Sequence, residues 1–501
     1  MGYQEYLQIV KELNYKFRYY KSIESLFEYD QWSSLPEEGT EYRQQTAAFI
    51  GEEKNALYRS GDACRAAEYL SGVSPDEIGD EIERGLVRTF LSRWRNAVRT
   101  PEDTLRKYNL MKADCMNAWK QARAQKDYSI FMPWLKQAFD LKKEIALAVN
   151  PEMPAFDTIV GMTDEGLSVK EVSEQFDLLK KGLREILGSL QKAGQPKEDP
   201  IPDSDPEQMA AFAQRLAREL GYRPERGGFN DRVVHGFTSF MGPRDARVST
   251  YKSGSYNLIF TCLHEAGHAM YSSGSSDPVI MAGMWGGIEG GFHEANARFF
   301  ENMIGHSRAY WDYYYPQLQE EIPMFREIPE ERFYNVIHQV KPTLRRISAD
   351  EVTYSLHAIL RFELERDYFA GKLRAEDMAE AWNDKYEEYL GIRPSNDTEG
   401  VLQDMHWAGD YIGYFQSYAL GNIYDGQILE AVKREIPDME EKIRRGEILP
   451  VTEWMEKNIW QYGCCMTAGE MIRKLTGHGL DAGPFLRYLE QKYLEQKYQA
   501  D

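Results

Sequence analysis

The chain predicts a mainly α fold, a large helical body with one small β-hairpin or sheet, and three observations carry that expectation. Apolar residues recur at three-to-four spacing, with charges between them, over most of the 501 residues. No strong linker or internal repeat divides the sequence, so we expect a single domain spanning 1–501. Residues 232–251 alone read as strand, with β-branched residues on both sides of a Gly-Pro turn.

Taken in order, MGYQEYLQIVKELNYKF begins an amphipathic helix, and the helical pattern is clear over 105–149, 169–192, 206–220 and 375–390. Residues 191–206, QKAGQPKEDPIPDSDP, interrupt it with Pro and Asp and predict a surface loop. In the hairpin, VVHGFTSF and DARVSTY flank Met241-Gly242-Pro243; such an edge can pair with an extended peptide, or can simply pack the helix that follows.

Composition excludes several partner classes. Lys and Arg total 60 against 80 Asp and Glu, a net charge of −20, which argues against nucleic acid or an anionic membrane as partner. No apolar run reaches transmembrane length, and a cytoplasmic protein is expected. The five cysteines are scattered and suggest no disulfide framework. Cys262 reads as a small packing residue, and His306, His338, His357 and His478, lacking partners at metal-ligand spacing, read as structural.

His264-Glu265-Ala266-Gly267-His268 is the most informative stretch. On a helix its two imidazoles share one face. Two neutral imidazoles so placed can hold zinc, and a carboxylate beside the first can act as the general base of a metallopeptidase. Chance would place HExxH in about 2% of chains of this composition, so its surroundings must decide. Leu258-Ile259-Phe260 before it and Ala269-Met270-Tyr271 after it suit a buried active-site helix.

Catalytic zinc takes three protein ligands and keeps one position open. The longer HExxHxxGxxH pattern is absent, because Tyr271 and Gly274 stand where its glycine and last histidine belong. A carboxylate is the better search. Within GMWGGIEGGFHEANARFFEN, residues 283–302, the candidates are Glu289, His293, Glu294 and Glu301. Glu294 is preferred, since it opens a helical stretch whose Phe292, Ala295, Phe299 and Phe300 can press against the HExxH helix, but spacing alone does not separate it from His293.

His264 to His268, His293-Glu294, Arg346-Ile347-Ser348-Ala349-Asp350 and Gly400-Val401-Leu402-Gln403-Asp404-Met405-His406-Trp407 occur in that order. Together they resemble the carboxypeptidase Taq family of metallocarboxypeptidases, marked by HPF, DxRxT, HExxH, HESQ, IRxxAD and GxxQDxHW. Each motif has a counterpart between His235 and Trp407, and the likeness extends to Tyr29-Asp30-Gln31, Leu35-Pro36 and the run from Gly413 to Asn422. The counterparts depart from the family at Gly236, Ser249, Ala295, Asn296 and Arg345.

The resemblance implies a helical metallopeptidase body with a groove, a homodimer, peptide substrates, and one Zn²⁺, or Co²⁺ in its place, per subunit. Its ligands would be His264, His268 and Glu294. Glu265 would take the proton from the attacking water and return it to the leaving amine. His406 is the expected oxyanion donor, with Tyr418 in reserve. Arg346 would grip the free C-terminal carboxylate bidentately. Arg345 beside it, Arg247 and His235 are further substrate-side candidates, Arg247 having a pairing with Asp245 as its alternative. Asp350 would orient a histidine ligand. The rival readings are an oligoendopeptidase or aminopeptidase with the same metal site, and a peptide-binding protein that has lost turnover.

Overall fold

Four helices open the chain in the computed structural model, which describes residues 2–195 and 198–495: α1 (Tyr3–Ser33), α2 (Thr40–Arg59), α3 (Gly61–Leu70) and α4 (Glu81–Arg99). Leu7, Val10, Ala66 and Leu86 on their inner faces form an apolar cluster of their own, which closes on Val279, Met284 and Cys465. The helix expected over 105–149 is two, α5 (Glu102–Gln125) and α6 (Met132–Val149). Lys126 ends the first in a left-handed conformation at φ 56°. Then come α7 (Ala155–Thr163), α8 (Val169–Ala193) and α9 (Pro206–Glu219). Ser168 caps α8 and Asp205 caps α9, where Pro206 occupies the first helical position and needs no N–H partner. Of the loop expected at 191–206, residues 191–193 continue α8, and 196 and 197 lie outside the described residues.

The hairpin is part of a three-stranded mixed sheet of β1 (Gly227–Asn230), β2 (Arg232–Gly242) and β3 (Asp245–Tyr251), in the order β1-β3-β2. β2 runs antiparallel to β3 and β1 parallel to it. The extra strand, GGFN, is too short and glycine-rich to read as one. Pairing jumps from Arg232↔Tyr251 to Phe237↔Ser249, so 233–236 bulge out of β2.

The HExxH stretch lies on α10 (Asn257–Ser273), which packs against α9, β2 and β3. It is apolar and buried on almost every face, as a helix through the middle of a protein must be. After α11 (Asp277–Met281), α12 (Gly291–Arg298) packs on α10 and runs straight into a π-helical turn, Phe299–Gly305. The α10–α12 approach depends on Gly267: a Cβ there would stand 2.8 Å from both Asn296 O and Ala297 Cα. The rest is helical: α13 (Arg308–Glu321), α14 (Glu330–Ile337), α15 (Tyr354–Phe369), α16 (Met378–Leu390), α17 (Phe415–Glu435), α18 (Met439–Arg444), α19 (Leu449–Asn458), α20 (Ala468–Thr476) and α21 (Gly483–Glu490). The mainly α expectation holds. No described helix is long and apolar enough to cross a membrane.

Candidate metal centre and its second wall

α10 and α12 bring His264, His268 and Glu294 together, with one ligand atom of each within 4.8 Å of the others. Two imidazole nitrogens and a carboxylate oxygen are the donor set of a catalytic zinc-type site. The residues therefore fit a divalent cation. Each donor is also held from behind. Glu301 Oε2 lies 2.8 Å from His264 Nδ1, which leaves Nε2 as the ring nitrogen available to a cation. His293 Nδ1 lies 2.7 Å from His268 Nδ1, and Ser272 Oγ holds the far side of His293 at 3.1 Å. Arg298 Nε donates to Glu294 Oε1 at 2.7 Å. His293 thus sits behind His268, and Glu294 is the third member of the donor cluster.

The N-terminus of α12 is fixed by Asp164, a fully buried carboxylate that accepts from Gly291 N at 2.7 Å and from Gln416 and Ser417 of α17. Glu265 is buried, and burial raises its carboxyl above the usual range, with His264 and Thr238 opposing. The Thr238 hydroxyl on β2 lies 2.7 Å from Glu265 Oε2 and 2.9 Å from its carbonyl. Beside it, a Cβ at Gly236 would stand 2.7 Å from Thr261 Cγ2, so this departure lets the bulge press on the HExxH helix.

A second wall is built on the loop before α17. His406 Nε2 lies 3.0 Å from Tyr418 Oη, and its ring stacks on Phe415. Burial pushes His406 down to about 3, against the attraction of Asp404, so the imidazole is neutral. Burial alone would raise Asp404; the Arg361 and Arg346 guanidinium groups instead hold it well below the carboxylate range. Arg361 Nε donates to Asp404 Oδ2 at 2.6 Å. Arg346 donates to Asp404 Oδ1 through Nε (3.3 Å) and Nη2 (3.2 Å), and to Tyr354 Oη through Nη1 (2.9 Å). Its ring-facing side lies 4.4 Å from the Tyr418 centroid.

The other expected residues are placed differently. Asp350 orients no histidine: it accepts from the backbone N–H groups of Lys341, Val352 and Thr353 and from the Thr353 hydroxyl, and so ties its own turn. The carboxylate that stands beside a histidine of the cluster is Glu301, not Asp350. Arg247 forms the two-point pair with Asp245, at 2.9 and 2.8 Å, that was its alternative. His235, on the β2 bulge, and Arg345 are both exposed. Asn296 accepts from Trp460 Nε1 at 2.8 Å, which ties the departed HESQ counterpart to the C-terminal helices. Thr238, Arg298, Arg361 and Tyr354 escaped the sequence reading; Arg298 and Glu301 follow Glu294 by four and seven residues, a helical spacing that could have found them.

A helical body in which an HExxH helix and a following glutamate make one divalent-cation site defines a metallopeptidase. The comparisons narrow the class: the model of the carboxypeptidase Taq (M32) metallopeptidase family matches residues 9–493, and the chain belongs to that family. It is 32% identical to thermostable carboxypeptidase 1 of Pyrococcus furiosus over 97% of this chain and 99% of that protein. It is also 32% identical to thermostable carboxypeptidase 1 of Thermus thermophilus, over 98% of each. The crystal structure of the M32 carboxypeptidase from Deinococcus radiodurans superposes with a TM-score of 0.91 at 31% identity, covering 98% of this chain and 99% of that one. The protein is a metallocarboxypeptidase, a peptide hydrolase that depends on a divalent metal.

Proposed function

We propose that His264, His268 and Glu294 hold the ion and that Glu265 is the general base, working on the last peptide bond of a substrate bound between the two walls. The observation that carries this is the convergence of the three donors within 4.8 Å, with Glu265 on the same helix as two of them. The ion, when bound, supplies Lewis acidity toward water and the scissile carbonyl. Thr238 holds Glu265 Oε2 and leaves the other oxygen to take the proton of the attacking water and return it to the leaving amine. His406 and Tyr418, with Nε2 and Oη 3.0 Å apart, form a donor pair for the developing oxyanion. Arg346 uses three of its five N–H groups internally and keeps two for the C-terminal carboxylate. Arg345, exposed beside it, and His235, on the edge strand, meet the more distant parts of the peptide.

We further propose zinc as the ion, with cobalt as a working substitute, one per subunit of a homodimer, in the cytoplasm. The N,N,O donor set supports zinc, and five free cysteines suit a reducing compartment. The test is Glu265→Gln in cation-loaded protein, assayed on an N-blocked dipeptide. Turnover falls about 100- to 10,000-fold while cation affinity is kept; an active variant would remove Glu265 from its role.

A further inference from the structure

Glu294 is gripped on two sides, by Arg298 and by Gly421. From its own helix, Arg298 Nε donates to Oε1 at 2.7 Å, and both residues are buried, at 9% and 8% exposure. The guanidinium carbon lies over the Tyr354 ring, 3.9 Å from its centroid. From α17, Gly421 lets the helix close onto the glutamate stem: a Cβ there would stand 2.9 Å from Glu294 Cγ and 3.2 Å from its Cβ. The remaining oxygen, Oε2, faces the histidines, 3.8 Å from His268 Nε2. One turn past Gly421, Asp425 is fully buried and neither of its carboxylate oxygens has a hydrogen-bond partner. Arg298 is the cation that offsets it, and Glu294, Glu301 and Glu351 all oppose it.

We infer that Arg298 is a positioning residue for the metal centre: by holding Glu294 Oε1 inside the protein it commits Oε2 alone to the ion. This rests on the ligand set proposed above. An Arg does this better than a Lys because its planar fork can stack on Tyr354 and donate in the same pose. The carboxylate is kept from swinging to offer both oxygens, and the centre keeps a position open for substrate. The charge of Arg298 works in the opposite direction, since a cation beside a cation site weakens binding. Geometry and charge therefore predict opposite signs for its removal.

The experiment compares wild type with Arg298→Met, Arg298→Lys and Gly421→Ala. Zinc affinity is measured by competition with a chelator, and the visible absorption of the cobalt-saturated proteins is recorded. Neither readout requires peptide turnover, so failure of the inference and failure of the peptidase assignment remain distinguishable. Arg298→Met binds zinc about 10- to 100-fold more weakly, and its cobalt band departs from wild type even at saturation. Arg298→Lys recovers part of the affinity with a band still shifted, and Gly421→Ala, which displaces Glu294 without a change of charge, shifts the band as well. Zinc affinity equal to or tighter than wild type in Arg298→Met overturns the inference, as does weaker binding with a wild-type cobalt band, which is the mark of a merely structural loss. Should Arg298→Met fail to fold, the Arg298→Lys band decides: shifted supports the inference and unshifted overturns it.

Discussion

The two walls of the site are built on opposite plans. The metal wall comes from two neighbouring helices whose side chains repeat at helical spacing: His264, Glu265 and His268 on α10, and Glu294, Arg298 and Glu301 along α12 and the π-helical turn after it. The second wall is a buried network joined across long stretches of chain, in which Asp404 is shared by Arg346 and Arg361 and His406 meets Tyr418. Local geometry sets the first, and tertiary packing sets the second. Damage to the metal wall should therefore remove chemistry while the fold stands. Damage to the second wall should leave buried charges unpaired and cost stability as well as rate.

The largest effect expected is the loss of all turnover when the cation is stripped by a chelator, with recovery on adding zinc or cobalt; activity that survives exhaustive chelation would break the comparison at its base. Next is His406→Ala, which, on the oxyanion role proposed for it, should lower kcat by about 100- to 1,000-fold. Its KM should change little, because the residue meets developing charge and not the bound substrate. Asp404→Asn sharpens the contrast. Two buried guanidinium groups lose their charge partner, and a melting scan should show a loss of stability of about 3–5 kcal/mol. Glu301→Gln, on the metal wall, should instead weaken the cation about 10- to 100-fold and leave the melting point of the metal-free protein nearly unmoved.

The smallest effect lies in the floor of the second wall. Glu365 accepts from Trp407 Nε1 at 2.7 Å and Gly413 N at 3.2 Å, and burial pushes its carboxyl up to about 8 against those bonds. A carboxyl raised above its unfolded value of 4.5 binds a proton in the folded state that the unfolded chain has already released. Its contribution is therefore present near pH 4.5 and is lost as pH rises toward about 8. Glu365→Gln keeps an acceptor for the indole and cannot ionise, so the fall in melting temperature between pH 5 and 8 should flatten. An unchanged slope would remove Glu365 as its source.

The same contrast explains what the sequence revealed. Glu294 was separated from His293 only by the family resemblance, whereas His264, Glu265 and His268 could be grouped from the sequence because helical periodicity turns spacing into a shared face. The helices at 169–192 and 206–220 were legible for the same reason, helped by Ser168 and Asp205 at their caps. The break at Lys126 was not, because a single residue in a left-handed conformation leaves little trace in an apolar repeat. β1 was hidden by its glycines and by parallel pairing with a strand that follows it in the chain. Asp350 was misplaced because a motif states which residues recur and not what they touch. Here its carboxylate is spent on four local donors. Arg346 was legible as a motif arginine, but its commitment to Asp404 and Tyr354 depends on contacts across 58 and 8 residues that no local pattern encodes.

The most direct test of the joined walls is mass spectrometry of one peptide in two forms, with a free C-terminal carboxylate and with a C-terminal amide, each incubated with cation-loaded and chelated protein. Stepwise loss of single residues from the free C-terminus, absent for the amide and absent after chelation, is the predicted result. Equal trimming of the amide, or cuts inside the chain or at its N-terminus, would contradict it.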